Sequence, residues 1–371
     1  MPDTATLTAR APTADPGAPA RPGAAPAAFV RDCWYVAALG AEVQHALLAR
    51  TIAAEEIILY RTAAGRVVAL QDRCPHRLAP LSKGHLVGDS VQCGYHGITF
   101  DCAGRCVRIP GEEHIPDHFR TTTYQTTEKW GFVWVWLGEQ SRADEALLPQ
   151  AFRWQAEPGW CPMQDYIHLN AHYQLLVDNL LDLSHEAFLH KNTIGNAAVA
   201  ETPATTRIKG DLVEVVRTMP NCPPPKLFVR AAGFTTNIDR YQGFHFIPPC
   251  FVIIEVRAVA TGTDDRKNGL AWWVLNALTP ETGRSTHYFW GLPRAFKQND
   301  AEMTELLRGA ITRTFEEDRD MLEAQQRVLE RVPLEARTVY TASDQAPGRA
   351  RSIVAGMLAR EAAARAHSPG A

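Results

Sequence analysis

Two short segments of the chain each combine one cysteine with one histidine. Cys74 and His76 enclose a single proline, Cys93 precedes His96 by three residues, and sixteen residues separate the two pairs. Two such pairs can hold two chemically different iron atoms, one bound by two thiolates and the other by two imidazoles. The pattern therefore requires a fold that brings two loops together, and it predicts a [2Fe–2S] cluster bound by Cys74, His76, Cys93 and His96.

A structural zinc site is the alternative, because zinc also binds two cysteines and two histidines. Zinc ribbons and fingers usually pair cysteine with cysteine and histidine with histidine at short spacing. The alternating order here favours a Rieske [2Fe–2S] centre instead. Cys102 and Cys106 follow the second pair closely, and we predict that they are ordinary thiols rather than ligands.

Composition limits the remaining possibilities. The 371 residues suffice for two domains, and 46% hydrophobic with 21% charged residues is typical of a globular protein. A formal net charge of −3 gives no electrostatic reason to expect nucleic acid or an anionic membrane as a partner. No apolar run is long enough to span a bilayer, and eight cysteines do not make a disulfide scaffold, so we expect a cytoplasmic protein.

The order of apolar runs predicts an α+β chain, in which an all-β N-terminal domain carries the cluster and is followed by an α+β domain with an antiparallel sheet and flanking helices. The first domain contains β-like runs, among them Thr51 to Tyr60 and Gly131 to Leu137. The second contains helical patterns at Tyr173 to His190 and Glu302 to Leu329. The predicted segments are a disordered Ala/Pro-rich tail, the cluster domain, the catalytic domain, and a C-terminal helix and tail, at residues 1–27, 28–140, 150–345 and 346–371.

A second metal site is indicated within the first helical pattern. On a regular helix Asp178, Asp182 and His185 share one face, whereas His190 is rotated by roughly 140° from His185. The helix must therefore deform or end between His185 and His190 if both imidazoles are to bind one ion. The spacing also excludes the metalloprotease motif H-E-x-x-H, so Glu186 is a poor candidate for a general base.

Two histidines and one distant carboxylate form the facial triad of non-haem Fe(II) oxygenases. The late helical pattern offers Glu316, Glu317, Asp318 and Asp320, although a solvated acidic helix face would explain these residues equally well. Histidines near a helix end are also common without a metal. The cluster favours a mononuclear iron here, because a one-electron carrier in the same chain needs an acceptor.

With these motifs the chain resembles the Rieske non-haem iron aromatic-ring oxygenases, in the branch of vanillate O-demethylase oxygenase subunits. The resemblance extends from about Phe29 to Leu329. Besides the cluster pairs and residues 178–190, its carriers are residues 33–38, 248–249, 254–256, 288–291, 315–318 and 321–326.

The resemblance implies roles for individual residues. It places the carboxylate ligand of the mononuclear iron on Asp318 rather than Asp320. It also makes Asp182 and Asp178 catalytic residues, and it implies that Asp182 joins His185 to His96 of a neighbouring subunit. Electrons would then cross a subunit interface in a homotrimer.

The implied reaction is O2- and NADH-dependent O-demethylation of vanillate or a related methoxybenzoate to a phenol and formaldehyde. A separate reductase with flavin and a ferredoxin-type centre would supply electrons, since no G-x-G-x-x-G loop is present in this chain. Attack on another aromatic acid, by hydroxylation or demethylation, is the alternative, and a Rieske electron carrier without oxygenase activity is a third hypothesis. The residues that bind the substrate carboxylate stay open; His245, Glu255 and Trp290 are candidates.

Overall fold

The computed structural model describes residues 28–263, 269–332 and 339–366. An N-terminal β region precedes a larger α+β region, as predicted. The predicted tail at 1–27 lies outside the described residues, and the bounds of the other three predicted segments stay predictions. None of the helices in these ranges combines the length and apolar character needed to cross a bilayer.

The N-terminal region consists of short antiparallel strands. Their bounds are β1 (Cys33–Leu39), β2 (Leu48–Ile52), β3 (Glu55–Arg61), β4 (Val67–Gln71), β5 (His85–Val87), β6 (Ser90–Gln92), β7 (Thr99–Phe100), β8 (Cys106–Arg108), β9 (Thr123–Tyr124), β10 (Thr126–Lys129) and β11 (Phe132–Leu137). They form three sheets with the orders β1-β11-β10, β2-β3-β4-β9 and β5-β6-β7-β8. A separate small core, which includes Tyr60, Leu81 and Phe100, lies beneath the loops that contain Cys74 and Cys93.

The run from Thr51 to Tyr60, predicted as one strand, is a hairpin. Strand β2 ends at Ile52 and β3 begins at Glu55, and the intervening Ala53 and Ala54 have φ angles of 49° and 63°. Two-residue hairpin turns of this kind usually contain asparagine or glycine. The alanines therefore gave no turn signal in the sequence.

The C-terminal region is one large antiparallel sheet covered by helices. The strands are β12 (Gln164–Leu169), β13 (Thr205–Lys209), β14 (Leu212–Cys222), β15 (Ile238–Ile247), β16 (Phe251–Ala260), β17 (Leu270–Thr282) and β18 (Ser285–Gly291), and the helices are α1 (Tyr173–Leu181), α2 (Glu186–Leu189), α3 (Ala197–Glu201), α4 (Lys226–Ala232), α5 (Ala301–Leu329) and α6 (Gln345–Ala366). Within the described residues the strand order is β12-β18-β17-β16-β15-β14-β13.

Helix α5 confirms the helix predicted from Glu302 to Leu329. Asp300 caps its N-terminus by accepting a hydrogen bond from the Met303 N–H at 2.8 Å. Its buried stripe continues through Phe315, whose ring lies 5.5 Å from that of Trp290 on β18. Asp318 follows Phe315 by three residues, so it lies on the same buried stripe, with only 2% of its surface exposed.

The two regions are joined by hydrogen bonds that reach across from the large sheet. His287 of β18 is 5% exposed, and its Nε2 donates to the carbonyl of Thr51 on β2 at 3.0 Å. Its Nδ1 must then be the acceptor, 2.8 Å from the hydroxyl of Tyr166. Both ring nitrogens are therefore used by the neutral form of the imidazole.

Acidification is expected to destabilise this junction. Burial lowers the pKa of His287 to about 4, although Glu281 acts in the opposite direction. The pKa of histidine in an unfolded chain is about 6.5. Above that pH both states are neutral. As the pH falls from about 6.5 to about 4, only the unfolded chain gains the proton, which removes up to about 3 kcal/mol from the free energy of unfolding.

Urea unfolding between pH 7 and pH 4.5 measures this effect. His287→Gln can still donate to Thr51 and accept from Tyr166 but does not titrate, so its stability should fall less steeply with acidification. Equal slopes for the variant and the wild-type protein would contradict the prediction.

Candidate metal centres

The predicted cluster ligands lie on two loops with the same backbone geometry. In each loop the residue four positions after the cysteine has a left-handed backbone: Leu78 with φ 58° and Gly97 with φ 71°. Its N–H donates to the cysteine carbonyl, at 2.9 Å for Cys74 and 3.0 Å for Cys93. The cysteine N–H in turn donates to the carbonyl of the residue five positions after it, which is Ala79 in the first loop and Ile98 in the second, at 2.8 Å in both. The two loops therefore present their side chains in an equivalent way.

The four side chains divide into an inner pair and an outer pair. Cys74 and Cys93 are 1% and 2% exposed, whereas His76 and His96 lie at the surface with ring centroids 4.6 Å apart. Burial raises the pKa of the Cys74 thiol to about 11, and the neighbouring Cys93 adds to this effect. The Cys74 thiol therefore needs a bound cation to become a thiolate.

The spacing of the donor atoms favours two irons over one zinc. A tetrahedral zinc site would bring all four donors close together around a single ion. Among the residues that the structure describes, no three of these four side chains place their donor atoms within 4.8 Å of one another. A cluster that separates the thiolate-bound iron from the imidazole-bound iron fits this arrangement.

The second site lies where the predicted helix from Tyr173 to His190 is interrupted. The segment is not one continuous helix: α1 ends at Leu181, and Asp182 has an extended backbone with φ −101° and ψ 99°. The Asp182 carboxylate accepts a hydrogen bond from the Ser184 N–H at 2.8 Å, which makes a tight turn. A second helix, α2, then begins directly after His185 and ends directly before His190. His185 and His190 are therefore the N-cap and C-cap residues of one short helix, and the chain leaves the helical conformation at His190.

His185, His190 and Asp318 converge at this point. The Asp318 Oδ1 atom is 3.6 Å from Nε2 of His185 and 3.1 Å from Nε2 of His190. One donor atom from each residue lies within 4.8 Å of the others, and this is the one such group in the described part of the chain. His190 is 1% exposed, so the site is largely shielded from water.

The outer nitrogens of both imidazoles are occupied by acceptors. His185 donates from Nδ1 to the backbone carbonyl of Asp182, and His190 donates from Nδ1 to the Glu317 carboxylate at 2.7 Å. This fixes the tautomer in which each Nε2 has a free lone pair directed towards Asp318. Burial lowers the pKa of His190, but the Asp318 and Glu317 carboxylates outweigh it, and the net shift is upward. These two carboxylates thus favour a positive charge at the His190 imidazole.

A buried amide next to the triad supports the same interpretation. Asn179 Nδ2 donates to Asp318 Oδ1 at 3.0 Å, while the buried Asn179 Oδ1 has no hydrogen-bond partner among the described residues. Two imidazoles and one carboxylate, with a buried amide oxygen beside them that still lacks a partner, make a site suited to a divalent cation such as Fe(II). The residues present therefore fit a mononuclear iron.

The other carboxylates considered from the sequence lie elsewhere. The Asp320 side chain is 73% exposed and pairs with Arg319, so it points away from both imidazoles. Asp178 forms an ion pair with Arg351 of α6 and is not part of the triad. Burial raises the pKa of Asp178, and Arg351 opposes the shift. The half-buried Asp182 contacts His185 through its backbone carbonyl rather than through its carboxylate.

Two cavities meet at His185. The larger, of about 570 Å³, is lined by Asp178, Asp182 and the exposed side chains of Phe188 and Met321. The second is lined by the triad and by apolar residues of the sheet and of α5. The triad therefore lies in the wall of the apolar pocket, and His185 also borders a larger surface depression of mixed polarity.

Besides the triad, the polar residues that line the apolar pocket are Glu186, Arg240, Gln242 and Thr314. From the sequence, Glu186 was considered only as a general base and rejected, and the other three were missed. A charged residue at the apolar positions of a strand, between Ile238 and Phe244, was the available signal. None of the open candidates His245, Glu255 and Trp290 lines this pocket.

The comparisons with known proteins agree with this geometry. A model of the Rieske [2Fe-2S] domain matches residues 33–124, and a model of the vanillate O-demethylase oxygenase C-terminal domain matches residues 169–360, more than half of the chain. A vanillate O-demethylase oxygenase subunit of Pseudomonas sp. (strain HR199 / DSM 7063) is 36% identical, over 90% of this chain and 96% of its own length. This chain belongs to the vanillate O-demethylase family of Rieske oxygenases.

Other relatives of this oxygenase act on different aromatic compounds. The iron-sulfur subunit of a toluene-4-sulfonate monooxygenase system of Comamonas testosteroni is 37% identical, over 82% of this chain and 90% of its own length. Dicamba monooxygenase bound to 3,6 dichlorosalicylic acid is structurally similar, with a TM-score of 0.86 and 31% identity, over 91% of this chain and 100% of that chain. Another crystal structure of dicamba monooxygenase includes non-heme iron.

Family membership establishes the cofactors and the reaction class of this oxygenase. It contains a Rieske [2Fe–2S] cluster and a mononuclear non-haem iron. It is the oxygenase component of a monooxygenase system, so it takes electrons from a separate reductase and acts on an aromatic compound. The hypothesis of an electron carrier without oxygenase activity is therefore wrong.

Proposed function

We propose that this oxygenase catalyses the O2- and NADH-dependent O-demethylation of vanillate or a related methoxybenzoate, which gives a phenol and formaldehyde. The observation that carries the proposal is the apolar pocket with His185, His190 and Asp318 in its wall. The aromatic and aliphatic side chains of its wall suit an aromatic ring whose methoxy group is directed at the triad. The 36% identity to a vanillate O-demethylase oxygenase subunit supports the choice of substrate.

We assign the ligands of the two centres as follows. Cys74 and Cys93 hold one iron of the cluster, and His76 and His96 hold the other. His185, His190 and Asp318 hold the mononuclear Fe(II). When bound, the two centres supply electron storage and O2 activation. The protein contributes orientation, through Asp182 and Glu317 at the outer imidazole nitrogens, and an apolar wall that excludes water.

The proposed assembly is a homotrimer in which each cluster approaches the triad of a neighbouring subunit. Both centres lie beside exposed apolar side chains: Leu78 and Tyr95, 64% and 63% exposed, border the cluster loops, and Phe188 and Met321, 76% and 54% exposed, border the cavity next to His185. Covering such residues is favourable, so the two faces suit each other. In this arrangement Asp182 joins His185 to His96 of the neighbouring subunit. Light scattering of the purified protein tests the trimer.

The proposed electron donor is an NADH-dependent reductase that contains flavin and a ferredoxin-type centre. With such a reductase, NADH and O2, vanillate is expected to yield formaldehyde and a product lighter by about 14 mass units, the mass of CH2. Mass spectrometry and a formaldehyde assay measure both, with benzoate as the control that lacks a methoxy group. Absence of formaldehyde from every methoxybenzoate tested would refute the proposed reaction.

A second candidate is oxidation of the methyl group of another aromatic acid. The 37% identity to an iron-sulfur subunit of a toluene-4-sulfonate monooxygenase system favours it. Toluene-4-sulfonate would then gain about 16 mass units, the mass of one oxygen atom, without release of formaldehyde. The mass of the product therefore separates the two functions.

A further inference from the structure

Two polar side chains of β15 line the apolar pocket beside the triad. Arg240 and Gln242 are two positions apart on the strand, so they point to the same face of the sheet, and each is 2% exposed. The surrounding wall is aromatic and aliphatic, with Phe228, Phe244, Ile254, Val256, Trp272 and Val274. Polar groups buried in such a wall are costly unless they are paired.

One edge of the Arg240 guanidinium has no hydrogen-bond acceptor among the residues that the structure describes. The Nη1 atom donates to the carbonyl of Ile194 at 3.2 Å, and the guanidinium lies over the ring of Phe228 at 4.9 Å. In contrast, Nε has no partner in the described part of the chain, and Nη2 is 3.8 Å from the Glu186 carboxylate, beyond hydrogen-bond distance. Nε and Nη2 form the fork with which arginine binds an oxyanion through two parallel hydrogen bonds.

The neighbouring carboxylate is held by other residues. Gln242 Nε2 donates to Glu186 at 3.0 Å from each carboxylate oxygen. A second buried arginine, Arg217, lies 4.0 Å from the same carboxylate. Two buried cations thus share Glu186, so its charge does not fully compensate that of Arg240.

The ionisation of Arg240 reflects this shortage of negative charge. Burial lowers the pKa of Arg240, and the nearby Arg217 acts in the same direction, whereas the Glu186 carboxylate opposes both. Over residues 28–263, 269–332 and 339–366, Glu186 is the one carboxylate that favours the charged form of Arg240. A bound anion in the pocket would supply the missing negative charge.

We propose that Arg240 is a specificity-determining residue that binds the carboxylate or sulfonate of the aromatic substrate through its free Nε–Nη2 edge. This inference rests on the proposed function, because it concerns the same pocket. Glu186 and Gln242 are positioning residues: Gln242 holds the Glu186 carboxylate, which leaves the fork of Arg240 open for the substrate.

Calorimetric titration of the iron-loaded protein with ligands that it cannot demethylate tests the proposal. Benzoate and benzamide have nearly the same shape, but only benzoate carries a charge. We expect the wild-type protein to bind benzoate at least about 10-fold more tightly, and Arg240→Gln to lose roughly 10- to 100-fold in benzoate affinity with little change for benzamide. Titration with toluene-4-sulfonate shows whether the same fork also accepts a sulfonate.

Arg257→Gln is the matched control. Arg257 lies on β16, its side chain is 47% exposed, and it pairs with Glu255 rather than lining the pocket. The same chemical change there should leave the preference for benzoate over benzamide unaltered. Arg240→Lys retains the charge without the fork, so its preference should lie between those of the wild-type protein and Arg240→Gln.

Two results would overturn the inference. One is a wild-type protein that binds benzoate no more tightly than benzamide, which is decisive even if the variants do not fold. The other is an Arg240→Gln variant that keeps the wild-type preference. Because binding is measured without turnover, failure to release formaldehyde would refute the proposed reaction and leave this result standing.

Discussion

Replacing Asp318 by alanine is expected to empty the mononuclear iron site and to lower turnover by more than about 100-fold, the upper figure for losing a residue that merely supports a metal ligand. Asp318 is the one carboxylate of the triad, and it is 3.1 Å and 3.6 Å from the two imidazole nitrogens. Without it, two neutral imidazoles remain to hold a divalent ion. The cluster lies on separate loops, so its visible absorbance should be retained.

Iron analysis provides the direct measurement. The iron content should fall from about three atoms per chain to about two, those of the cluster. Asp320→Ala is the matched control on the same helix, since the Asp320 side chain is 73% exposed and pairs with Arg319. If Asp318→Ala kept the third iron, or if Asp320→Ala lost it, the assignment of the ligand would be wrong.

Replacing Asp182 by alanine is expected to slow turnover by on the order of 100-fold while both iron centres stay loaded. His185 is held by the backbone carbonyl of Asp182, and alanine keeps this carbonyl. What the variant loses is the half-buried carboxylate at the cavity between the triad and the proposed position of the neighbouring cluster. Electrons should therefore still reach the cluster, but they should leave it slowly.

Rapid mixing of the reduced protein with substrate and O2 measures the rate at which the cluster is reoxidised. Asp182→Asn separates this role from a local one, because the amide oxygen can still accept the hydrogen bond from the Ser184 N–H. We expect the asparagine variant to be slow as well. Asp211→Ala is the control, because Asp211 is an exposed acid 29 positions after Asp182, and the cluster of this variant should be reoxidised at the wild-type rate. Reoxidation at the wild-type rate in either Asp182 variant would contradict the bridging role.

The prediction of the cluster could be made from the sequence because the chemistry is local. Each loop provides one cysteine and one histidine within four residues, and the turn that presents them is fixed by the next few residues. Helix α5 could be predicted from the sequence equally well, since its apolar residues recur at helical spacing over its whole length. The predicted α+β architecture with an antiparallel sheet was confirmed for the same reason.

The interruption of the helical segment from Tyr173 to His190 could be predicted only in part from the sequence. The five-residue step from His185 to His190 required the helix to deform or end between these residues, and α2 ends at Leu189. The earlier break at Asp182 was not predicted, because it depends on a side-chain hydrogen bond that competes with the helix. The hairpin between β2 and β3 was missed because alanines occupy its turn.

The sequence by itself determined which residue types bind metal and that two centres share one chain. The residue pattern alone left Asp318 and Asp320 open, and the family resemblance favoured Asp318. The tertiary structure brings Asp318 to the histidines, leaves Asp320 at the surface and places Arg240 in the pocket. The reason is physical: two carboxylates two positions apart on a helix differ in direction, and the direction that matters is set by packing of α5 on the sheet. Contacts between residues more than a hundred positions apart, such as Asn179 with Asp318, are set by that packing and leave no local pattern.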